Sequence, residues 1–240
     1  VHTIIKPLIA VRRLIQTGLS QKLTHDANIK QLMEAFKAEE YGHQANLIQA
    51  DLGYGFIHYG LIRQIKPQVV LCIGSRYGFI PAVLAQACKD NGTGTVYFVD
   101  AGLDESCDHA YTGEGFWRTK QSLKVFEDYK LGKYITTFVT TTKEFAKLYP
   151  ELIFDYIYVD GDHSFKGAMF DYKTFWPKLR PNGLMVFHDV SIKEKLAEGE
   201  YGVYRVLEKV QQKNAVITFP FLGSGLGIVQ KTPKRRRNNL

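Results

Sequence analysis

Two short segments carry side chains that could do chemistry together. Val159-Asp160-Gly161-Asp162-His163 follows the apolar run Phe154 to Val159, and His188-Asp189 follows Leu184 to Phe187. Runs of that kind read as buried strands, so Asp160 and Asp189 stand where two strands end. Neighbouring parallel strands lie ~4.8 Å apart, close enough for both carboxylates to face one cation. Carboxylate oxygens completed by water suit Mg²⁺ or Mn²⁺. His188 as a third ligand would favour Mn²⁺, Fe²⁺ or Zn²⁺ over Mg²⁺; its alternative is to pack or to order water. Asp160 also reads as a helix cap and His163 as either a general base or a structural hydrogen-bonding group. Asp162 reads first as a loop or cap residue.

A second constellation lies upstream. The strand pattern Val69 to Ile73 runs into Gly74-Ser75-Arg76-Tyr77-Gly78 and then a helical pattern. A glycine-bearing turn there lets a ligand approach the backbone, and the helix N-terminus offers free N–H groups. Asp100 ends the next strand, 26 residues after Gly74, where a carboxylate can accept hydrogen bonds from both ribose hydroxyls. The spacing is G-x-x-x-G, so the glycine that admits a pyrophosphate in G-x-G-x-x-G is missing, and no Walker lysine follows. A nicotinamide oxidoreductase is therefore the lesser reading.

Strands are expected at 69–73, 96–99, 135–139, 154–159, 184–187, 216–219 and 227–229. Helices are expected at 79–88, from about 115 to 129, at 143–148, 165–179 and 203–212. Strands separated by helices argue for a mostly parallel sheet with helices on both faces. The last two strands are joined too briefly for a parallel crossover and should pair antiparallel. The expected fold is α/β: a Rossmann-like, seven-stranded, mostly parallel sheet with an antiparallel last strand and an N-terminal helical extension. Residues 1–65 read as a helical cap or arm, with stripes at Leu8, Val11, Leu14 and Ile15 and at Leu32, Met33 and Phe36. Residues 66–232 form the ligand-binding domain and 233–240 a basic tail.

With 240 residues, 45% of them hydrophobic, the chain can bury a substantial core. No apolar run reaches the ~20 residues of a membrane span, and VHTIIKPLIAVRRLIQ lacks a signal-peptide cleavage site. Cys72, Cys88 and Cys107 have no metal-type spacing and suit a reducing compartment, with cytoplasm the default. Of the formal charge of +7, Lys234, Arg235, Arg236 and Arg237 supply four. That concentration in a tail argues against a nucleic-acid partner. The expected partner is a small molecule, and the N-terminal arm is compatible with a homodimer. Within the loop from Ala101 to Gly115, Asp104, Asp108 and His109 suit either ligation or a solvated lid.

The sequence resembles the class I S-adenosylmethionine-dependent methyltransferases. VVLCIGSRYGFIPAVLA resembles their first motif and VYFVDA their second. FDYIYVDGDHSFKGAMFDYKTFWPKLRPNGLMVFHDV resembles their fourth and fifth strands, and SGLGIVQK their terminal antiparallel strand. Coverage is about residues 65 to 232, and residues 160–190 most resemble the branch of macrolide-sugar O-methyltransferases and cephalosporin-biosynthesis enzymes. The resemblance implies S-adenosylmethionine as cofactor, with Gly74, Ser75, Tyr77 and Gly78 around its methionine portion, Asp100 on its ribose, and Asp160 also counted in its site. It implies a divalent metal on Asp160 and Asp189 and His163 as base. Many relatives carry an acidic residue where this chain has Cys72, and some carry Glu where it has His188. The expected activity is O-methylation of a small-molecule hydroxyl; a non-catalytic S-adenosylmethionine-binding protein is the alternative.

Overall fold

A computed structural model of the chain describes residues 26–40, 42–103, 115–122, 124–196, 199–220 and 223–233. The stripe at Leu8 to Ile15, the loop residues Asp104, Cys107, Asp108 and His109, and the basic run Lys234 to Arg237 lie outside the described residues.

Five strands are parallel: β1 (Val69–Ile73), β2 (Thr95–Asp100), β3 (Ile135–Val139), β4 (Phe154–Val159) and β5 (Leu179–His188). After a two-stranded hairpin, β6 (Lys195–Leu196) and β7 (Gly199–Glu200), come β8 (Val216–Phe219) and β9 (Leu226–Gln230). The main sheet has the order β3-β2-β1-β4-β5-β9-β8, and β9 runs antiparallel to both of its neighbours. This is the expected Rossmann-like arrangement.

Alternation along the strands builds the two halves of the core. Val70, Cys72, Phe98, Tyr156, Tyr158 and Val186 face one side. There they meet helices α1 (Asp26–Ala35), α2 (Tyr54–Ile65) and α3 (Phe79–Asn91). Leu71, Ile73, Ile157, Val159, Met185 and Phe187 face the other. Their partners include α5 (Thr142–Leu148), α6 (Phe165–Phe175) and α7 (Val203–Val210). Because both faces are covered, the central strands read as continuous apolar runs. Leu32, Met33 and Phe36 are buried in the first half of the core, so the described part of the N-terminal segment packs on the sheet.

Three expected helices are shorter in the structure, the last of them α7, which ends at Val210. The span 115–129 holds a 3₁₀ turn at Phe116–Arg118 and the single-turn α4 (Val125–Asp128). Helix α6 stops at Phe175 because Pro177 lacks the N–H that would continue its ladder. Leu179 instead pairs with Phe154, and a register shift then brings Leu184 opposite Tyr156.

Strand β1 sits between β2 and β4, so the chain winds outward in one direction and then in the other. The crevice beyond the carboxyl ends of β1 and β4 is the topological switch point, where ligands bind in such sheets.

Candidate functional site

A cavity of about 820 Å³ opens at that edge, within the size range of small-molecule sites. Its floor is the meeting of two loops. Gly74 has φ +76, and a Cβ built on it would lie 2.1 Å from the carbonyl oxygen of Asp160. The Asp160 N–H donates to the Ile73 carbonyl at 2.9 Å. Only glycine permits both the left-handed backbone and this backbone-to-backbone approach.

Ser75 ties the first loop down. Its N–H donates to Asp100 Oδ2 at 3.0 Å, its hydroxyl accepts from Gly78 N–H at 3.0 Å, and its carbonyl accepts from Trp117 Nε1 at 2.6 Å. Gly78 caps α3 beneath the Trp117 ring and is not among the residues lining the cavity, whereas Gly74, Ser75 and Tyr77 are. Lys37 Nζ stands 3.9 Å from the centre of the Tyr77 ring.

Asp100 lines the cavity with one lone pair of each oxygen committed: Oδ2 to Ser75, Oδ1 to the Gly102 N–H at 2.8 Å. Burial raises its pKa, and the two backbone N–H groups pull against that shift. A carboxylate has about four acceptor sites, so both oxygens keep acceptor capacity.

The loop after β4 and the end of β5 bring together four of the residues singled out by sequence. His163 Nε2 lies 3.4 Å from Asp160 Oδ1 and 3.3 Å from Asp189 Oδ2. His188 Nδ1 lies 3.0 Å from Asp160 Oδ1 and 3.2 Å from Asp189 Oδ1. Facing two carboxylate oxygens, Nδ1 must carry a proton and donate. Tyr158 hydroxyl donates to Asp160 Oδ2 at 3.0 Å. Asp189 holds a left-handed φ of +58, a conformation aspartate tolerates better than most residues, at the turn leaving β5. Burial would lower the pKa of His188, but the Asp189 and Asp160 carboxylates override it and hold the imidazole well above its usual value. His163 is raised by the same two carboxylates against burial. Asp160 is held far below the carboxylate range, because the two imidazoles outweigh its desolvation.

One ligand atom each from Asp160, His163 and Asp189 lie within 4.8 Å of one another, a spacing that can hold a metal ion. Two carboxylates and one imidazole suit Mn²⁺, Fe²⁺ or Zn²⁺ better than Mg²⁺. His188, the imidazole the sequence suggested as a ligand, turns Nδ1 to the same carboxylates from the buried side. Asp162 accepts from the Ser164 N–H at 2.9 Å, and Ser164, not Asp162, caps α6.

Five contributors were not singled out from the sequence. His43 packs 4.9 Å from the His188 ring, and Tyr201 stacks 5.0 Å from the His163 ring at 13°. Trp117 clamps Ser75, Tyr158 supports Asp160, and Asp171 lines the cavity from α6. Tyr158 alone had a signal, standing two residues before Asp160. Gly42 adjoins both Ser224 and His188: a Cβ on it would lie 3.2 Å from Ser224 and 3.9 Å from the imidazole.

Residues 71–190 match the family described as methyltransferase domain. Among solved structures of like fold is an O-methyltransferase from Bacillus cereus in complex with SAH, at TM-score 0.60 and 15% identity, covering 92% of this chain and 97% of that one. Another is the O-methyltransferase TomG from Streptomyces achromogenes, involved in tomaymycin synthesis and solved with SAM. Its TM-score is 0.60 at 15% identity, covering 91% of this chain and 96% of that one. An uncharacterised protein, y4gI of Sinorhizobium fredii, is 24% identical over 182 residues; the match covers 74% of this chain and 19% of that protein's length. Among the described residues no helix is long and apolar enough to cross a membrane.

Proposed function

This chain belongs to the methyltransferase-domain family, and we propose that it transfers the methyl group of S-adenosylmethionine to a hydroxyl of a small molecule. One juxtaposition carries the reading. A single cavity holds Asp100, with acceptor capacity left for a ribose, and the cluster Asp160, His163 and Asp189, with Gly74 in backbone contact between them. The SAH and SAM bound by solved proteins of the same fold support the cofactor. The resemblance of residues 160–190 to sugar and secondary-metabolite enzymes supports a hydroxyl acceptor.

Methyl transfer from a sulfonium is an in-line displacement that needs alignment and a deprotonated nucleophile. The acceptor oxygen forms a bond to the methyl carbon, the carbon–sulfur bond breaks, and its electron pair stays on sulfur as a neutral thioether. The hydroxyl proton leaves to the His163 imidazole, which accepts it in its neutral form. Asp160 and Asp189 would hold a divalent cation, which when bound supplies positive charge that lowers the hydroxyl pKa. His188 holds both carboxylates in register, and Tyr201 fixes the His163 ring. The 4.8 Å grouping favours a second role for His163, as a third metal ligand. A pH–rate profile taken with metal titration separates the two roles.

The test is isothermal titration calorimetry with S-adenosylhomocysteine, with and without Mg²⁺ or Mn²⁺. We expect micromolar binding and a metal-dependent heat that is absent in Asp160→Ala. No binding under any condition overturns the cofactor reading. Tight binding without cofactor turnover across an acceptor screen would instead mark a non-catalytic binding protein.

A further inference from the structure

Behind the carboxylate cluster stand three rings that the methyl transfer itself does not use. His58, Tyr156 and Tyr158 are fully buried, and none of them lines the cavity. The two tyrosines project from β4 to the same side of the sheet, where His58 of α2 meets both. His58 Nδ1 and the Tyr156 hydroxyl share a hydrogen bond at 2.6 Å. The same imidazole stands edge-on to Tyr158, with ring centroids 4.6 Å apart at 77°. Anchored on Tyr156, it cannot turn away, and it confines the Tyr158 ring.

Tyr158 carries a polar end out of this packed layer. A buried hydroxyl needs a partner, and this one donates to Asp160 Oδ2 at 3.0 Å. Residues two apart on a strand share a face, so a phenol at 158 reaches forward to the residue that follows the strand. The other carboxylate oxygen, Oδ1, faces His188 at 3.0 Å and His163 at 3.4 Å. The phenol therefore sets the rotation of the carboxylate, with one oxygen held on the tyrosine and the other turned into the cluster. Hydrogen bonds of this kind orient a metal-ligating carboxylate and tune its affinity.

Resting on the divalent-metal part of the reading above, we propose that Tyr158 is a positioning residue of the metal centre and that His58 acts through it. The phenol presents Asp160 to the cation, and the imidazole holds the phenol in place. His58 lies on α2, outside residues 71–190. The segment before β1 thus reaches the cation through buried rings, without supplying a ligand.

The test is Mn²⁺ titration of the full chain, read by loss of the free ion's paramagnetic resonance signal. Calorimetric binding of S-adenosylhomocysteine in metal-free buffer accompanies it. Tyr158→Phe removes one hydroxyl and keeps the ring. It should bind Mn²⁺ about tenfold to a hundredfold more weakly, the scale of a lost outer hydrogen bond to a metal ligand. Its S-adenosylhomocysteine affinity should fall by a smaller factor, and its thermal midpoint checks the fold. His58→Gln should weaken Mn²⁺ binding in the wild-type background and add nothing in the Tyr158→Phe background, the coupling expected of a residue that works through the phenol. Tyr156→Phe, which releases the imidazole, replaces it should His58→Gln not fold. Wild-type Mn²⁺ affinity in Tyr158→Phe, an equal fall for both ligands, or a His58→Gln effect undiminished without the phenol overturns the assignment and leaves the metal reading intact. Wild type that takes up no Mn²⁺ overturns both.

Discussion

His188 Nδ1 lies 3.0 Å from Asp160 Oδ1, and the same nitrogen reaches Asp189 at 3.2 Å. Two carboxylates at the head of the cavity are thus bridged by one buried imidazole. Removing it leaves like charges facing each other, and breaking a buried charge pair costs about 3–5 kcal/mol. His188→Leu should lose stability on that scale in urea denaturation and regain part of it with added Mn²⁺, which would replace the missing charge. A variant as stable as wild type and indifferent to Mn²⁺ would show that the bridge contributes nothing.

Asp160 meets His163, His188 and Tyr158 at once. Asp160→Ala should reduce turnover at least about a hundredfold, the scale of a lost general-base or charge-stabilising group. S-adenosylhomocysteine binding should weaken but stay measurable by calorimetry, because Asp100 and the first loop are untouched. Full activity in this variant would remove the cluster from the chemistry.

A methyl group on Gly74 has nowhere to go, since the atom it meets is backbone and cannot swing away. Gly74→Ala should separate the β1 and β4 loops and destabilise the fold by about 2 kcal/mol or more through a left-handed φ and a steric clash. Cofactor affinity should fall with it. Thermal unfolding and calorimetry on one preparation read both effects, and unchanged values in both would contradict the contact.

Three buried groups give stability opposing pH dependences. Burial, with the neighbouring His188, lowers His43 to about 4, and burial, with His43 and His188, lowers His58 to about 3, from 6.5. Below pH 6.5 the unfolded chain takes up protons that the native state refuses, so stability falls as pH drops toward those values. The slope is up to about 1.4 kcal/mol per pH unit for each histidine. Asp171 does the reverse. Its pKa rises from 3.8 to about 7, so the stability it contributes is complete below 3.8 and lost as pH climbs through 7. Urea denaturation at pH 8, 6 and 4 should show Asp171→Asn gaining over wild type at pH 8 and not at pH 4. His58→Gln should flatten the acid limb. An acid limb unchanged in His58→Gln would mean that His58 titrates normally.

The strands were readable because the sheet is covered on both faces: the β1, β3, β4 and β8 patterns end where the strands end. That Asp160, His163, His188 and Asp189 would meet was readable because each ends or closely follows a strand, and strand ends converge at one edge. Helix α2 was not, since Tyr54-Gly55 and Tyr59-Gly60 interrupt a stripe that only packing against α3 completes. Nor was the truncation after residue 115, where Phe116 and Trp117 pack their rings around the Gly74–Gly78 turn instead of extending a helix. Asp171 looks like any polar residue on a helix, and only tertiary packing, with Thr142 of α5 and the β4 loop beside it, buries it. His43 reaches the site because the segment before α2 folds back over β5, a relation no local pattern holds.

Gly42 and His43 precede the 71–190 region that defines the family, and Tyr201 follows it, yet all three stand against its histidines. The family region and the wall facing its histidines are therefore contributed by separate stretches of chain. On the proposed function, exchanging the flanking stretches would retune which molecule is accepted without rewriting the donor site, much as a tool head is changed on a fixed handle.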